Sequence, residues 1–168
     1  EGFKAAIKAD STYAAGNYSE PPMIGLKAGG THWASWGSSQ EWFRLGLHRD
    51  MGLDSPEAVI AHFRRLVSSW DANDLIALAS TWQGNNVGDT KGFDGDPEQA
   101  LGSIKARVLY LPSETDMYFH IDALRQEAQF IPEVQFTVIP TLWGHFAGTG
   151  SSPNDNIFIN KEISEFLN

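Results

Sequence analysis

The sequence has no cysteine among its 168 residues, which excludes a disulfide framework, a thiolate metal site and a cysteine nucleophile, and suits a reducing compartment. It has no apolar run near the roughly 20 residues of a membrane-spanning helix, so a membrane is not among its expected partners. Positive charge is scarce: 12 Lys and Arg against 21 Asp and Glu leave a net charge of -9. Nucleic acid, which calls for a basic surface, is therefore not expected as a partner either, and a cytoplasmic location is the reading. Internal repeats and low-complexity tracts are missing. The loop at 85–95 with Asp89, Asp94 and the following Asp96 lacks the order of a calcium loop, and the five histidines form no ligand set at a known spacing, so neither a metal nor a cofactor is expected. Gly-x-Ser-x-Gly does not occur, and the pairs Ser38-Ser39 and Ser151-Ser152 lack the strand-turn-helix setting of a nucleophile elbow.

What remains is an ordinary globular composition, 42% hydrophobic and 12% aromatic, long enough for one well-buried domain. The first half reads as helical. A short helix is expected at 3–9, then irregular chain from Asp10 to Gly30, broken by Pro21-Pro22 and Ala28-Gly29-Gly30. Trp33, Trp36, Trp42, Phe43 and Leu47 are too many large apolar groups for a free linker. They read either as packing or as an aromatic-lined substrate entrance, with Gly37 to Ser39 as a break and Ser39 as an N-cap. Ser55, Pro56 and Glu57 start a firmer helix, with Val59, Phe63, Leu66, Val67 and Trp70 on one face. A second helix runs from about Ala72 to Gly84, with Leu75, Leu78, Ala79 and Trp82 on one side.

The second half alternates helix and strand, as a parallel sheet does. Asp96 caps a short helix with Pro97 at its first position. Two apolar runs, at 107–111 and 134–139, read as buried strands, each stopped by a proline, with a helix at 121–130 between them. Asp116 follows the first run and His145 the second, and a terminal helix closes the chain at 154–167. In open α/β sheets, chemistry collects beyond the carboxyl ends of the strands, so Asp116 and His145 are candidates for one site. A carboxylate next to an imidazole fixes its tautomer and stabilises it when protonated, and such a pair serves a nucleophile. On the residues alone, Asp116 also reads as a cap for the helix at 121, and His145 as a loop histidine. Glu114 is the alternative acid. His120 reads as a pocket or loop residue, and His32, His48 and His62 as structural or solvent-facing.

Several local motifs, in order, resemble the homoserine O-acetyltransferase branch of the α/β-hydrolase superfamily, from just after its nucleophile elbow to its C-terminus. Phe-Lys-Ala-Ala-Ile-Lys-Ala-Asp at 3–10 with Ala-Gly-Asn-Tyr at 15–18 is similar to the segment entering the lid. Trp-Asp-Ala-Asn-Asp at 70–74 looks like the start of a lid helix, Ile104 to Leu111 followed by Asp116 like the strand bearing the triad acid, and Gly144-His145 like the triad histidine. Nearly the whole chain is covered.

The resemblance implies an α/β fold: residues 1–95 a helical lid, residues 96–168 the last parallel strands and helices of an α/β-hydrolase core. It implies a Ser-His-Asp mechanism through an acyl-serine, with His145 as base and Asp116 as its orienter. It also places the serine and the oxyanion hole upstream of Glu1, on a missing N-terminal portion of the same protein, so that the chain alone is expected to be inactive. The chain opens without a methionine or a signal peptide and is expected to lack its true start. The sequence departs from the family around the substrate: Phe119-His120 and Gly144-His-Phe146 replace its usual surroundings, and the lid segment that holds an amino acid becomes glycines and tryptophans. Trp33, Trp36 and Phe146 are thus expected to bind an uncharged ester or acyl substrate. Hydrolysis is preferred, with homoserine O-acetyltransferase activity, using acetyl-CoA as co-substrate, as the alternative. A homodimer through the lid helices is a further expectation. The reading of another class is a non-catalytic helical binding or dimerisation module.

Overall fold

The structure, a computed structural model, describes residues 1–168. Helix α1 (Gly2–Lys8) buries Ile7, and Asp10 then turns the chain, accepting from Thr12 N–H at 2.9 Å and Gly25 N–H at 2.9 Å. Where broken chain is expected, the structure instead forms α2 (Met23–Ala34), twelve residues through the small-residue run. Close packing is the reason. A Cβ on Gly25 would lie 2.7 Å from the Ile7 carbonyl oxygen, and one on Gly30 would lie 2.7 Å from that of Phe63, so these glycines let backbones approach where any side chain would hold them apart.

Ser39 caps α3 (Gln40–Arg44) by accepting from Trp42 N–H. Ser55 and Pro56 start α4 (Pro56–Ser68), which buries Val59, Phe63 and Val67. Asp71 starts α5 (Ala72–Gly84) by accepting from Asn73 and Asp74 N–H. Asp96 does the same for α6 (Pro97–Gly102), which leads into β1 (Val108–Tyr110), α7 (Ile121–Ala128), β2 (Val134–Phe136) and α8 (Pro153–Leu167).

The chain divides into two compact units, Glu1–Trp36 with Gly46–Asn85, and Gly37–Leu45 with Asn86–Asn168. This differs from a boundary at residue 95, because Gly37–Leu45 is bound into the second unit by Ser39 Oγ donating to the Leu142 carbonyl at 2.6 Å and by Trp42 stacking edge-on against Trp143. The core of the first unit is Ile7, Tyr13, Leu26, Val67, Ala72 and Leu75. Trp33 packs against that core, with Phe3 and Phe63 as ring neighbours.

In the second unit β1 and β2 pair in parallel, Val108 opposite Val134 and Tyr110 opposite Phe136, with α7 as the crossover. A further parallel bridge joins Ser113 to Ile139 beyond Pro112, whose carbonyl accepts from Ile139 N–H at 2.8 Å. The strands are half-buried rather than buried: this sheet has two strands, so one edge of each is unpaired and the pleat is only partly covered. No helix is long and apolar enough to cross a membrane.

Candidate active site

Both strands run in the same direction, so their carboxyl ends emerge on one side of the sheet, and each ends in a short loop that carries one member of the pair. His145 Nδ1 lies 3.0 Å from Asp116 Oδ2. The other carboxylate oxygen is held by its own loop: Asp116 Oδ1 accepts from Tyr118 N–H at 2.7 Å and Phe119 N–H at 3.2 Å. Asp116 therefore closes a tight turn on itself and is not the cap of α7, whose N-cap position is His120, without a side-chain hydrogen bond.

The side chain of Asp116 is only 9% exposed. Burial pushes its pKa up, but the hydrogen bond to the His145 ring and the Tyr118 and Phe119 amides outweigh it, and the carboxyl sits below the ordinary aspartate value. An ionised carboxylate on Nδ1 makes that nitrogen the donor, which leaves the lone pair on Nε2. The structure gives Nε2 no hydrogen-bond partner, and the histidine side chain is 28% exposed.

Aromatic rings hold the imidazole. Tyr118 meets it edge-on at 4.8 Å between centroids, Phe119 lies tilted at 5.5 Å, and Phe146 stands at 6.1 Å. Burial, and then the Asp116 charge, push the Tyr118 phenol up to about 12. Asp116 and His145 line a cavity of about 320 Å³ whose walls are largely apolar, among them Leu111, Phe119, Leu124 and Ile139. Ser113 also lines it, 7% exposed, with no hydrogen-bond partner for its hydroxyl. No serine hydroxyl is bonded to His145.

The other sequence candidates lie elsewhere. Glu114 is exposed and does not reach His145. His120 is exposed, 3.9 Å from Asp122. Trp33 and Trp36 belong to the first unit, Trp33 against its core and Trp36 beside His32; neither lines the cavity. His48 is buried against the Leu53 carbonyl, and His62 lies edge-on to Phe63.

Contacts that the sequence does not signal also shape the site. His145 N–H donates to the Gly37 carbonyl at 3.0 Å, and Gly144 adopts φ +60, with a carbonyl oxygen 2.9 Å from where its Cβ would stand. Thr115, beside the acid, accepts from Gly144 N–H at 3.1 Å. A glycine-serine break and a threonine next to an aspartate carry no signal of such contacts. Asp155, in the first turn of α8, accepts from Thr141 Oγ1 at 2.7 Å.

No protein-family model matches the chain. It is 30% identical over 165 residues to an ethyl acetate hydrolase of Pseudomonas veronii, a match covering 96% of this chain and 47% of that protein. A homoserine O-acetyltransferase of Trichormus variabilis is 27% identical over 154 residues, covering 88% of this chain and 42% of that protein. The crystal structure of an acetylester hydrolase from Corynebacterium glutamicum superposes with a TM-score of 0.89 at 31% identity, covering 97% of this chain and 47% of that one. The chain spans about half the length of the curated relatives it matches.

Proposed function

We propose, from a chain that is homologous to esterases and homoserine O-acetyltransferases and has the fold of the C-terminal half of an α/β-hydrolase, that the whole protein hydrolyses a small uncharged ester through an acyl-serine. The observation that carries this reading is the Asp116–His145 pair: a carboxylate on Nδ1 at 3.0 Å, fixed from behind by two amides, with Nε2 left as an acceptor beside an apolar cavity.

The serine is assigned to a preceding segment. The superfamily's chain order of serine, acid, histidine supports this, as does the half-length match to the relatives. His145 Nε2 takes the proton as the serine oxygen attacks the ester carbonyl. It returns that proton to the alcohol as the tetrahedral adduct collapses to the acyl-serine. Water, deprotonated by the same nitrogen, then attacks the acyl carbonyl; the bond to the serine oxygen breaks, that oxygen takes the proton back from Nε2, and the acid leaves. Asp116 orients the ring and stabilises the imidazolium in between. The oxyanion-hole donors are assigned to the preceding segment with the serine. No cofactor enters these steps.

An uncharged substrate suits the walls of Leu111, Phe119, Leu124 and Ile139, among which no lysine or arginine stands to hold a carboxylate. Of Trp33, Trp36 and Phe146, none lines the cavity, and Phe146 is the one that stands beside the imidazole. In the second reading the acyl-enzyme is resolved by the hydroxyl of homoserine, with acetyl-CoA as donor; the homology to an acetyltransferase favours it. On α5, Leu78 at 58% and Trp82 at 53% exposure support a homodimer through the lid helices.

The test is kinetic. In the full-length protein, His145→Ala should lower turnover of p-nitrophenyl acetate by roughly a thousandfold or more; unchanged turnover overturns the assignment. Release of CoA from acetyl-CoA that depends on homoserine would replace hydrolysis by transfer. An open reading frame with no Gly-x-Ser-x-Gly upstream would remove the serine mechanism altogether.

A further inference from the structure

The loops that carry Asp116 and His145 leave the sheet after its last ladder bond, from Glu114 N–H to the Ile139 carbonyl at 3.0 Å. Beyond it they are joined through side chains. The central one is Thr115, whose hydroxyl accepts from Gly144 N–H at 3.1 Å and donates to the Thr141 carbonyl at 2.9 Å. Thr115 immediately precedes the acid, and Gly144 immediately precedes the histidine. The same chain of bonds continues into α8. Thr141 Oγ1 accepts from Trp143 N–H at 3.1 Å and donates to Asp155 Oδ2 at 2.7 Å, with Thr141 and Asp155 each 5% exposed. Asp155 has no lysine, arginine or histidine within ion-pair distance. It stands in the first turn of α8.

We propose that Thr115 is a positioning residue: its hydroxyl, anchored through Thr141 to the buried Asp155, sets the spacing at which Asp116 meets His145. This rests on the reading of Asp116 as orienter and His145 as base. The hydroxyl uses one lone pair and its proton on two different points of the histidine loop, so it constrains both how near that loop comes and how it is rotated. Valine has the shape of threonine without either bond, and it strands the Gly144 N–H and the Thr141 carbonyl. Serine keeps both bonds. Thr115 stands apart from the substrate's reacting atoms, so its loss should act on the proton transfer and not on binding.

The experiment uses the full-length protein and the variants Thr115→Val, Thr115→Ala and Thr115→Ser, each first checked for a native circular dichroism spectrum and thermal transition. With p-nitrophenyl acetate, Thr115→Val and Thr115→Ala should lower kcat by about tenfold with KM unchanged, and Thr115→Ser should recover most of it. In proteins labelled with nitrogen-15 at histidine, the Nδ1–H proton of His145 should lose its downfield position and exchange faster with water in the valine and alanine variants, and regain both properties in the serine variant. Natively folded valine and alanine variants with wild-type kcat and an unmoved Nδ1–H signal would overturn the proposal. The proton signal needs no turnover. If the wild-type protein turns over no ester, the proposed activity fails, while the spectrum still decides whether Thr115 holds the pair.

Discussion

The backbone N–H of His145 donates to the carbonyl of Gly37 at 3.0 Å, which fastens the turn carrying the histidine to a segment far upstream in the chain. Two glycines make the approach. A Cβ on Gly144 would stand 2.9 Å from the Gly37 carbonyl oxygen and 3.2 Å from the Ser39 nitrogen, and one on Gly37 would overlap the edge of the Phe146 ring.

Gly144→Ala should therefore be the more damaging of the two changes, because it meets backbone on one side and carries a left-handed φ on the other. A loss of about 2–3 kcal/mol is expected, against about 1 kcal/mol for Gly37→Ala, where the ring can swing away. Urea unfolding of both variants checks the order. On the proposed esterase activity, Gly37→Ala in the full-length protein should lower turnover more than its stability loss accounts for, since Phe146 is the next residue after His145.

Asp116 makes stability depend on acid pH in a definite direction. Its folded pKa lies below the unfolded value, so its contribution is fully present above the unfolded pKa and is lost as pH falls through the folded one. Asp116→Asn should be clearly less stable than the wild type near neutrality. The difference should shrink as pH falls below about 4, the ordinary aspartate range. Denaturant titrations of both proteins across that range measure it; a constant difference would show that the carboxylate is not the source.

Tyr118 gives the opposite limb. Its phenol is pushed up to about 12 by burial first and by the Asp116 charge second. Stability is then complete below the unfolded tyrosine value of about 10 and declines as pH rises towards the folded one. Tyr118→Phe should weaken that alkaline loss. Tyr110, also pushed up to about 12 by burial and by Glu127, should leave part of it in place. Absorbance at 295 nm with pH should show one late-titrating tyrosine fewer in Tyr118→Phe.

In the first unit, the Tyr18 hydroxyl donates to Asp71, and Asn73 bonds back to the Gly16 carbonyl at 3.0 Å and accepts from the Tyr13 hydroxyl at 3.1 Å. Residues 15–18 and 70–74 are thus the two sides of one contact. Tyr18→Phe and Asp71→Ala should each lower Tm, and the double variant should fall by less than the sum, because the same bond is removed twice. Additive losses in thermal unfolding would deny the coupling.

Most helix starts were legible because a cap is a local event: Ser39, Ser55 and Asp96 each bond to amides two or three residues ahead. The pair at the site was legible for a similar reason, since a short apolar run, a proline and a polar residue place Asp116 and His145 at neighbouring strand ends. Helix α2 was not, because Ala28-Gly29-Gly30 weakens a helix in isolation. Its gain, backbone packed closely on α1 and α4, exists only once those helices are present.

Sequence by itself determined the local alphabet of this protein: its caps, its two parallel strands with a crossover helix, and the residue types at their ends. Only the tertiary structure decided that Asp116 and not Glu114 faces the imidazole, because the Tyr118 and Phe119 amides hold one carboxylate oxygen and turn the other towards Nδ1. Gly37, Thr115 and Asp155 support the histidine turn by hydrogen bonds between residues far apart in the chain, and such bonds leave no periodicity to read.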